Sequence, residues 1–336
     1  MQEYQLYIEN EDMLSAKTVS QRVRRTTLGY GLFFLAYVAS SLLLSVIVGL
    51  VAPGWEEQTW FQFAMSVIPL YGIGFPVLLA VVKDVPTSGI VKKNLSALDI
   101  FLLFPMCVAL MILGNLVTTF LMTYLSSIFP AIDQSNPVSE AFSDSEMLMM
   151  VVLTVVIAPI MEELVCRKIL LDRVRPLGET VSIFLSGLIF GAIHGNVHQF
   201  FYATLLGMLL AFIYLKTGRI IYPMLLHMLV NFFCGVLPAF LTGDWMDLLS
   251  GDPNIEIQLT ASLVKGLFWL MNYVMAEYSL VAIGAVLLVI FFRQIHRSIT
   301  PSNFRPIRQF SAAFLNLGML LLFAISFGLM CLNLLA

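Results

Sequence analysis

Runs of apolar residues about 20 long, the length that a helix needs to cross a bilayer, recur along the whole chain. We count nine of them, at residues 28–52, 59–82, 98–126, 147–171, 180–194, 197–215, 220–241, 263–292 and 309–335. The pattern predicts an all-α fold, a polytopic transmembrane helix bundle of about 8–9 spans. The runs at 180–194 and 197–215 are short and meet at Gly195, so the sequence leaves open whether each of them spans fully.

The basic residues between these runs predict how the bundle is oriented. If all nine runs cross, 17 of the 18 Lys and Arg residues fall on one side of the membrane and Lys265 alone falls on the other. The opposite loops are acidic. Because basic loops stay in the cytoplasm, we predict a cytoplasmic N-terminus, with residues 1–27 as a cytoplasmic N-terminal arm and residues 28–336 as the transmembrane bundle.

Composition supports a multi-pass protein of the cell membrane. The chain of 336 residues is 59% hydrophobic and 12% charged, with a net charge of −3 and a mean hydropathy of +0.90, whereas soluble domains carry about 25% charged residues. The four cysteines lie far apart in apolar runs, which is typical of core residues rather than of a disulfide framework. They are Cys107, Cys166, Cys234 and Cys331.

Two adjacent acids interrupt the run at 147–171. A carboxylate in a membrane span is costly, so by default it marks a functional site. Glu163 and Arg167 are four residues apart, share a helix face and can pair. Glu162 points roughly 100° away, and its own i+4 neighbour is Cys166, which cannot neutralise it. We therefore interpret Glu162 as the acid that is free for chemistry.

Two further runs carry histidine. His194 follows Phe190 by four residues and precedes Gly195, where a helix can stop and release a side chain into a cavity. His227 and Asn231 are also four residues apart, so they share one face. Their N–H groups are suited to hold an oxyanion.

A further acid lies near the middle of the run at 263–292. Glu277 matches no motif, and we interpret it as a structural or gating residue rather than a catalytic one.

Taken in order, the motifs E-E-x-x-x-R, F-x-x-x-H and H-x-x-x-N resemble those of the CPBP family, the CAAX proteases and bacteriocin-processing enzymes that are also called Abi proteins. The resemblance covers about residues 145–240, where we place a CPBP-like catalytic core. It implies a hydrolase, an intramembrane endopeptidase. Its substrate would be a membrane-associated protein or peptide, such as a CAAX-like protein or the precursor of a bacteriocin or signal peptide.

The resemblance also implies roles for the polar residues. Glu162 and His194 would activate a water molecule, and His227 with Asn231 would stabilise the tetrahedral oxyanion. The residues that would support this site are Glu163, Arg167 and Phe190.

Whether the protein needs a metal stays open at this point. The chain has no HExxH motif, so it is not a zinc protease of the usual helix-borne kind. Glu162, His194 and His227 could still form a three-ligand zinc site with a bound water, as in a metalloprotease. We favour water activated by glutamate, without an obligatory metal.

Two other classes of function remain as alternatives. Glu, His and Asn in spans also relay protons, so a proton-coupled membrane transporter is one of them. A non-catalytic scaffold or bacteriocin self-immunity protein is the other. The predicted partners are a peptide or protein substrate at the membrane and the lipid bilayer, with no nucleic acid, and the predicted location is a bacterial plasma membrane. The sequence does not indicate an oligomeric state.

Overall fold

In a computed structural model, the chain folds as a bundle of helices. The structure describes residues 15–55, 58–130, 151–238, 259–300 and 306–335, with the isolated positions 132, 149 and 241. Within these ranges every regular element is a helix. The prediction of an all-α, polytopic membrane bundle is confirmed.

Six helices of the described ranges are long and apolar enough to cross a membrane. They are Ala16–Val51, Trp60–Val82, Ala97–Ile128, Val197–Thr217, Gly266–Ser298 and Leu317–Leu335. The run at 197–215 is thus long enough to span. The run at 180–194 forms a helix of 14 residues, which extends only about 21 Å against the roughly 30 Å of a hydrocarbon core.

The helices are numbered here in chain order. They are α1 (Ala16–Val51), α2 (Thr59–Val67), α3 (Phe75–Val82), α4 (Ala97–Ile128), α5 (Ala158–Glu163), α6 (Leu170–Val174), α7 (Glu179–Ala192), α8 (Val197–Thr217), α9 (Ile221–Val230), α10 (Leu259–Ser298), α11 (Pro306–Phe314) and α12 (Leu317–Leu335). Four π-helical stretches continue or join them, at Ile68–Gly74, Val152–Ile157, Leu164–Ile169 and Asn231–Val236. The continuous helix from residue 152 to residue 174 contains α5 and α6 and is called the glutamate helix below.

Helix α1 begins well before the first apolar run. Ser15 is its N-cap, and the Ser15 hydroxyl accepts a hydrogen bond from the Thr18 N–H at 3.2 Å. Val19 and Val23 are buried in the main core. The boundary predicted at residue 27 therefore falls inside a packed helix, and residues 1–14 of the predicted arm lie outside the described part of the chain.

Helices α7 and α8 pack closely because glycine faces the contact. A Cβ on Gly191 would lie 2.6 Å from the carbonyl oxygen of Phe200 on α8, closer than such atoms can approach. The chain between the two helices turns at Gly195, whose φ of +66° favours glycine. This turn carries His194 to the end of the short helix α7.

Candidate active site

The glutamate helix is irregular on both sides of its two acids. The π-helical stretches Val152–Ile157 and Leu164–Ile169 flank α5 directly. A π-helical stretch shifts the register of the side chains and changes the bonding of the carbonyls, and such stretches are frequent at functional sites. Pro159 lies inside this continuous helix, at the start of α5, and its missing N–H leaves a carbonyl of the preceding turn without its intrahelical donor.

Side chains of neighbouring helices bind carbonyls of the second π-helical stretch. Tyr30 of α1 donates its hydroxyl to the Val165 carbonyl at 2.5 Å. Ser186 of α7 donates its hydroxyl to the Cys166 carbonyl at 2.8 Å. Because these donors come from two different helices, they fix the position of the glutamate helix just after its acids.

Glu163 and Arg167 form a fully buried ion pair. Arg167 Nη2 donates to Glu163 Oε1 at 3.1 Å, and Nε lies 2.9 Å from Oε2 without the alignment of a hydrogen bond. Both side chains are 0% exposed. Arg167 Nη1 also donates to the Ser186 hydroxyl at 3.0 Å, and its guanidinium lies 4.8 Å from the centre of the Phe190 ring. The pair expected from the i, i+4 spacing is present.

Glu163 also contacts a histidine from a distant part of the chain. His227 Nδ1 lies 3.1 Å from Glu163 Oε1. Because a carboxylate can only accept a hydrogen bond, Nδ1 must carry the proton of this contact. Glu163 therefore orients His227 as well as neutralising Arg167, a contact that sequence spacing does not reveal.

Glu162 lies on the other side of the same imidazole. Its Oε2 is 3.7 Å from His227 Nε2, which is longer than a hydrogen bond. The Glu162 side chain is 16% exposed, whereas that of Glu163 is fully buried. Within the described part of the chain Glu162 donates and accepts no hydrogen bond. The two adjacent acids thus differ: Glu163 is bound on two sides, and Glu162 is open to a ligand.

Phe190 lies between the two histidines. Its ring is perpendicular to the His194 ring at 5.0 Å and to the His227 ring at 5.5 Å. His194 Nδ1 donates to the Phe190 carbonyl at 2.7 Å, since that oxygen can only accept. This bond selects the tautomer and leaves the lone pair on Nε2. The Phe190 ring therefore packs against both histidine rings.

The turn that carries His194 is bound by the last helix. Ser326 of α12 donates to the Ala192 carbonyl at 2.8 Å, and Asn333 donates to the Gly195 carbonyl at 3.2 Å. Asn196 caps α8 by accepting from the Gln199 N–H at 2.8 Å. The two bonds from α12 satisfy the carbonyl of Ala192, the last residue of α7, and that of Gly195 in the turn.

Asn231 makes a different contact from the one expected of an oxyanion ligand. Its amide donates to the Thr154 carbonyl at 2.8 Å, in the first π-helical stretch of the glutamate helix. An asparagine amide has two hydrogens, so one donor remains. Asn231 thus ties the histidine helix α9 and its continuation to the glutamate helix.

Two tyrosines near Glu162 were not found by sequence reasoning. Tyr71, in the π-helical stretch Ile68–Gly74, and Tyr202, on α8, both lie close enough to Glu162 for their charges to interact. The Tyr202 hydroxyl accepts a hydrogen bond from Gln199 Nε2 at 3.0 Å. Neither tyrosine belongs to a spaced motif, so the chain itself carried no signal for them.

The three residues considered as zinc ligands do not form a metal-binding group. Among the described residues no three His, Cys, Asp or Glu side chains gather to hold an ion. Glu162 and His227 approach one another, and the bond of His194 Nδ1 to the Phe190 carbonyl leaves its Nε2 open. A zinc site formed by these three residues stays a prediction, and no step below is routed through a metal.

Glu277 lies apart from this site, on α10. It is close enough to Cys234 and Tyr273 for their charges to interact, and Tyr273 donates its hydroxyl to the Phe233 carbonyl at 3.2 Å. Its structural or gating role stays a prediction.

Comparison with known proteins agrees with this geometry. Residues 144–233, which contain all three motifs, match the family model "Type II CAAX prenyl endopeptidase Rce1-like". Over these residues the chain is similar to the CPBP family. The CPBP motifs thus come from the glutamate helix, α7, and α9 with its π-helical continuation, the elements that meet around His227 and Phe190.

One curated relative is similar over part of the chain. It is a Bacillus subtilis (strain 168) protein named "Putative membrane peptidase YdiL", 27% identical over 124 residues. The similar region covers 36% of this chain and 47% of that relative, so the match spans about half of the relative's length. No solved structure matches the chain.

Proposed function

We propose that this protein is an intramembrane endopeptidase that hydrolyses a peptide bond with water activated by Glu162. The observation that carries the proposal is the double contact of His227. One of its ring nitrogens faces the buried Glu163 at 3.1 Å, and the other faces the accessible Glu162 at 3.7 Å. An open carboxylate and an oriented imidazole on one side of a membrane bundle are the parts that acid–base hydrolysis needs.

His227 lies between the two carboxylates. Its Nδ1 is 3.1 Å from Glu163 Oε1, and its Nε2 is 3.7 Å from Glu162 Oε2. In the proposed mechanism both ring nitrogens act as donors: Nδ1–H is donated to Glu163, and Nε2–H faces Glu162 and the reaction space.

The proposed reaction uses these groups in two steps. Glu162 takes a proton from a water molecule while the remaining hydroxide adds to the scissile carbonyl carbon, and the carbonyl oxygen becomes an oxyanion. His227 Nε2–H donates to that oxyanion. The intermediate then collapses, the C–N bond breaks, and the proton on Glu162 passes to the leaving nitrogen to give a free amine.

His194 and Asn231 complete the site in this proposal. The His194 bond to the Phe190 carbonyl leaves Nε2 as an acceptor, so it can accept the second hydrogen of the attacking water and orient that molecule. Asn231 retains one amide hydrogen after binding Thr154. That hydrogen is proposed as a second donor to the oxyanion.

The proposed substrate is a membrane-associated protein or peptide, of the CAAX, bacteriocin-precursor or signal-peptide kind. Both the family model and the YdiL relative carry peptidase names, which supports a peptide substrate over a transported solute. The proposed setting is a bacterial plasma membrane.

The test is the purified protein with Glu162→Gln, which keeps size and hydrogen bonding but removes the base. Cleavage of a quenched-fluorescent peptide library by the wild type identifies a substrate. The variant should then cleave that substrate at least about 100-fold more slowly, the usual size of a general-base effect. Wild-type cleavage that Glu162→Gln leaves unchanged would refute the mechanism. A proton-coupled transporter would instead show gradient-driven uptake into proteoliposomes, and a scaffold would keep its biological effect without Glu162.

A further inference from the structure

A cavity of about 270 Å³ opens where the start of α1 meets α11. Its polar lining comes from both helices and consists of Lys17 and Ser20 on α1 and Arg308, Gln309 and Ser311 on α11. The remaining lining is apolar. We propose that this cavity binds a phosphate group, supplied by the headgroup of an anionic phospholipid.

The two charged residues that line the cavity are both basic. Lys17 and Arg308 are exposed cations, and none of the nine lining residues is acidic. Neither α1 nor α11 has an acidic residue in its first turn. A helix N-terminus carries about half a positive charge, and both cations lie within the first turn of their helices. Two side chains and two helix ends therefore favour the same anion.

The cavity adjoins the ends of two candidate membrane spans. Helix α1 continues from it as a membrane span, and the span α12 begins at Leu317, shortly after α11 ends. Phe310, next in the chain to the lining residue Gln309, and Leu315, just after α11, are 52% and 61% exposed, which offers an apolar surface to acyl chains. The arrangement suits a ligand with a charged head and an apolar tail more than a free ion, and basic pockets between spans commonly take such lipids.

The floor of the cavity limits how far a ligand can enter. Val19 and Leu177 line it and are 1% and 2% exposed, since they belong to the main core. A phosphate can therefore contact the two cations and the serine hydroxyls at the mouth, while no charged group is available deeper. The proposed site is thus a shallow headgroup site that is separate from the glutamate helix and does not rest on the proposed function.

The test measures binding of three probes to the full chain in neutral detergent. They are dioctanoyl phosphatidylglycerol, dioctanoyl phosphatidylcholine and inorganic phosphate. We expect saturable binding of phosphatidylglycerol and weaker binding of phosphatidylcholine. The double variant Lys17→Gln/Arg308→Gln should bind phosphatidylglycerol roughly 30-fold more weakly, because each basic residue near an anionic headgroup contributes about 1 kcal/mol.

A matched double variant controls for the general loss of charge. Lys92→Gln/Arg297→Gln also removes two exposed cations, but neither residue lines the cavity. It should keep the wild-type affinity within about twofold, as expected for surface changes away from a site. Equal losses in the two double variants, or no loss in the first, would overturn the proposal.

Two further outcomes matter. One identifies the source of the phosphate, and the other distinguishes a loss of binding from a folding defect. Saturable binding of inorganic phosphate, lost in the cavity variant, with no binding of phosphatidylglycerol would assign the site to a soluble phosphate and overturn the lipid assignment. The charge-conserving variant Lys17→Arg/Arg308→Lys should restore binding. If it binds as poorly as the Gln variant while melting like the wild type, charge at these positions is not what binds the ligand.

Discussion

Glu162 and Glu163 are neighbours in the sequence, yet their different surroundings give them different roles. Glu163 accepts from Arg167 and from His227 and is fully buried. Glu162 is partly exposed and makes no hydrogen bond among the described residues. A structural acid and a reactive acid should respond differently to the same isosteric change.

We therefore expect Glu163→Gln to destabilise the protein far more than Glu162→Gln. The first change leaves the Arg167 guanidinium buried without its counter-charge, which typically costs about 3–5 kcal/mol. The second removes a charge from a partly exposed position and should change the free energy of unfolding by no more than about 1 kcal/mol. The thermal melting of both variants in detergent measures this. Equal melting temperatures would contradict the assignment.

Phe190→Leu should lower activity with only a moderate loss of stability. The change keeps an apolar side chain but removes the ring that contacts Arg167 and both histidines. Loss of the cation–π contact costs about 0.5–2 kcal/mol, and misplacement of the histidines should slow cleavage by about tenfold or more. Phe184→Leu on the same helix is the control, because Phe184 is 45% exposed and its ring packs on Phe314 instead. Equal activity of the two variants would argue against a positioning role for Phe190.

At the scale of elements, the site depends on how helices bind the irregular glutamate helix. Ser186 of α7 accepts from Arg167 and donates to the Cys166 carbonyl. One turn earlier on the same helix, Ser182 donates to the Val174 carbonyl and has no contact with the ion pair. The two serines form a natural pair for comparison.

Ser186→Ala should reduce both stability and activity, whereas Ser182→Ala should reduce stability alone. A lost buried hydrogen bond costs about 1 kcal/mol, and leaving a charged donor unsatisfied adds roughly 1–3 kcal/mol. Unfolding and cleavage assays on both variants provide the measurement. If Ser182→Ala slows cleavage as much as Ser186→Ala, the bond to Arg167 has no special role.

Sequence periodicity identifies contacts within one helix and misses those between helices. The four-residue spacing of Glu163 and Arg167 correctly predicts their pairing, because both lie on one helix face. The contact between Glu163 and His227 joins residues 64 positions apart, and no spacing rule reports it. The 3.6-residue pattern also does not predict the π-helical stretches. They arise from a local change in backbone hydrogen bonding, which shifts the register of the side chains.

The boundaries of two segments were predicted less well, because the basic residues at the start of α1 and the length of the last apolar run were misleading. Lys17, Arg22, Arg24 and Arg25 gave the first residues of α1 the appearance of a polar arm, yet Arg22 is buried and donates to the Ser88 hydroxyl at 2.7 Å. The last apolar run, read as one segment at 309–335, divides into α11 and α12. Burial of a charged side chain by a distant helix cannot be seen in a local pattern.

For the whole molecule, the basic loops predict which side faces the cytoplasm. Cysteines introduced one at a time as Lys92→Cys and Arg297→Cys should react with a membrane-impermeant maleimide only after cells are opened. Gln58→Cys should react in intact cells, because its loop lies on the opposite side in the predicted topology. All three positions are exposed in the structure, and Cys234 and Cys331 would first be replaced by Ala. Labelling of Lys92→Cys in intact cells would reverse the orientation.

The bonds from α12 to the His194 turn have a consequence for biosynthesis. Ser326, which donates to the Ala192 carbonyl, is translated 134 residues after it. The turn therefore lacks its hydrogen bonds to α12 while the earlier spans are already inserted. We therefore expect a nascent chain that already has both acids and both histidines in the membrane to stay inert until the last hydrophobic segment has been translated. Such a delay would spare neighbouring chains in the translocon from premature cutting.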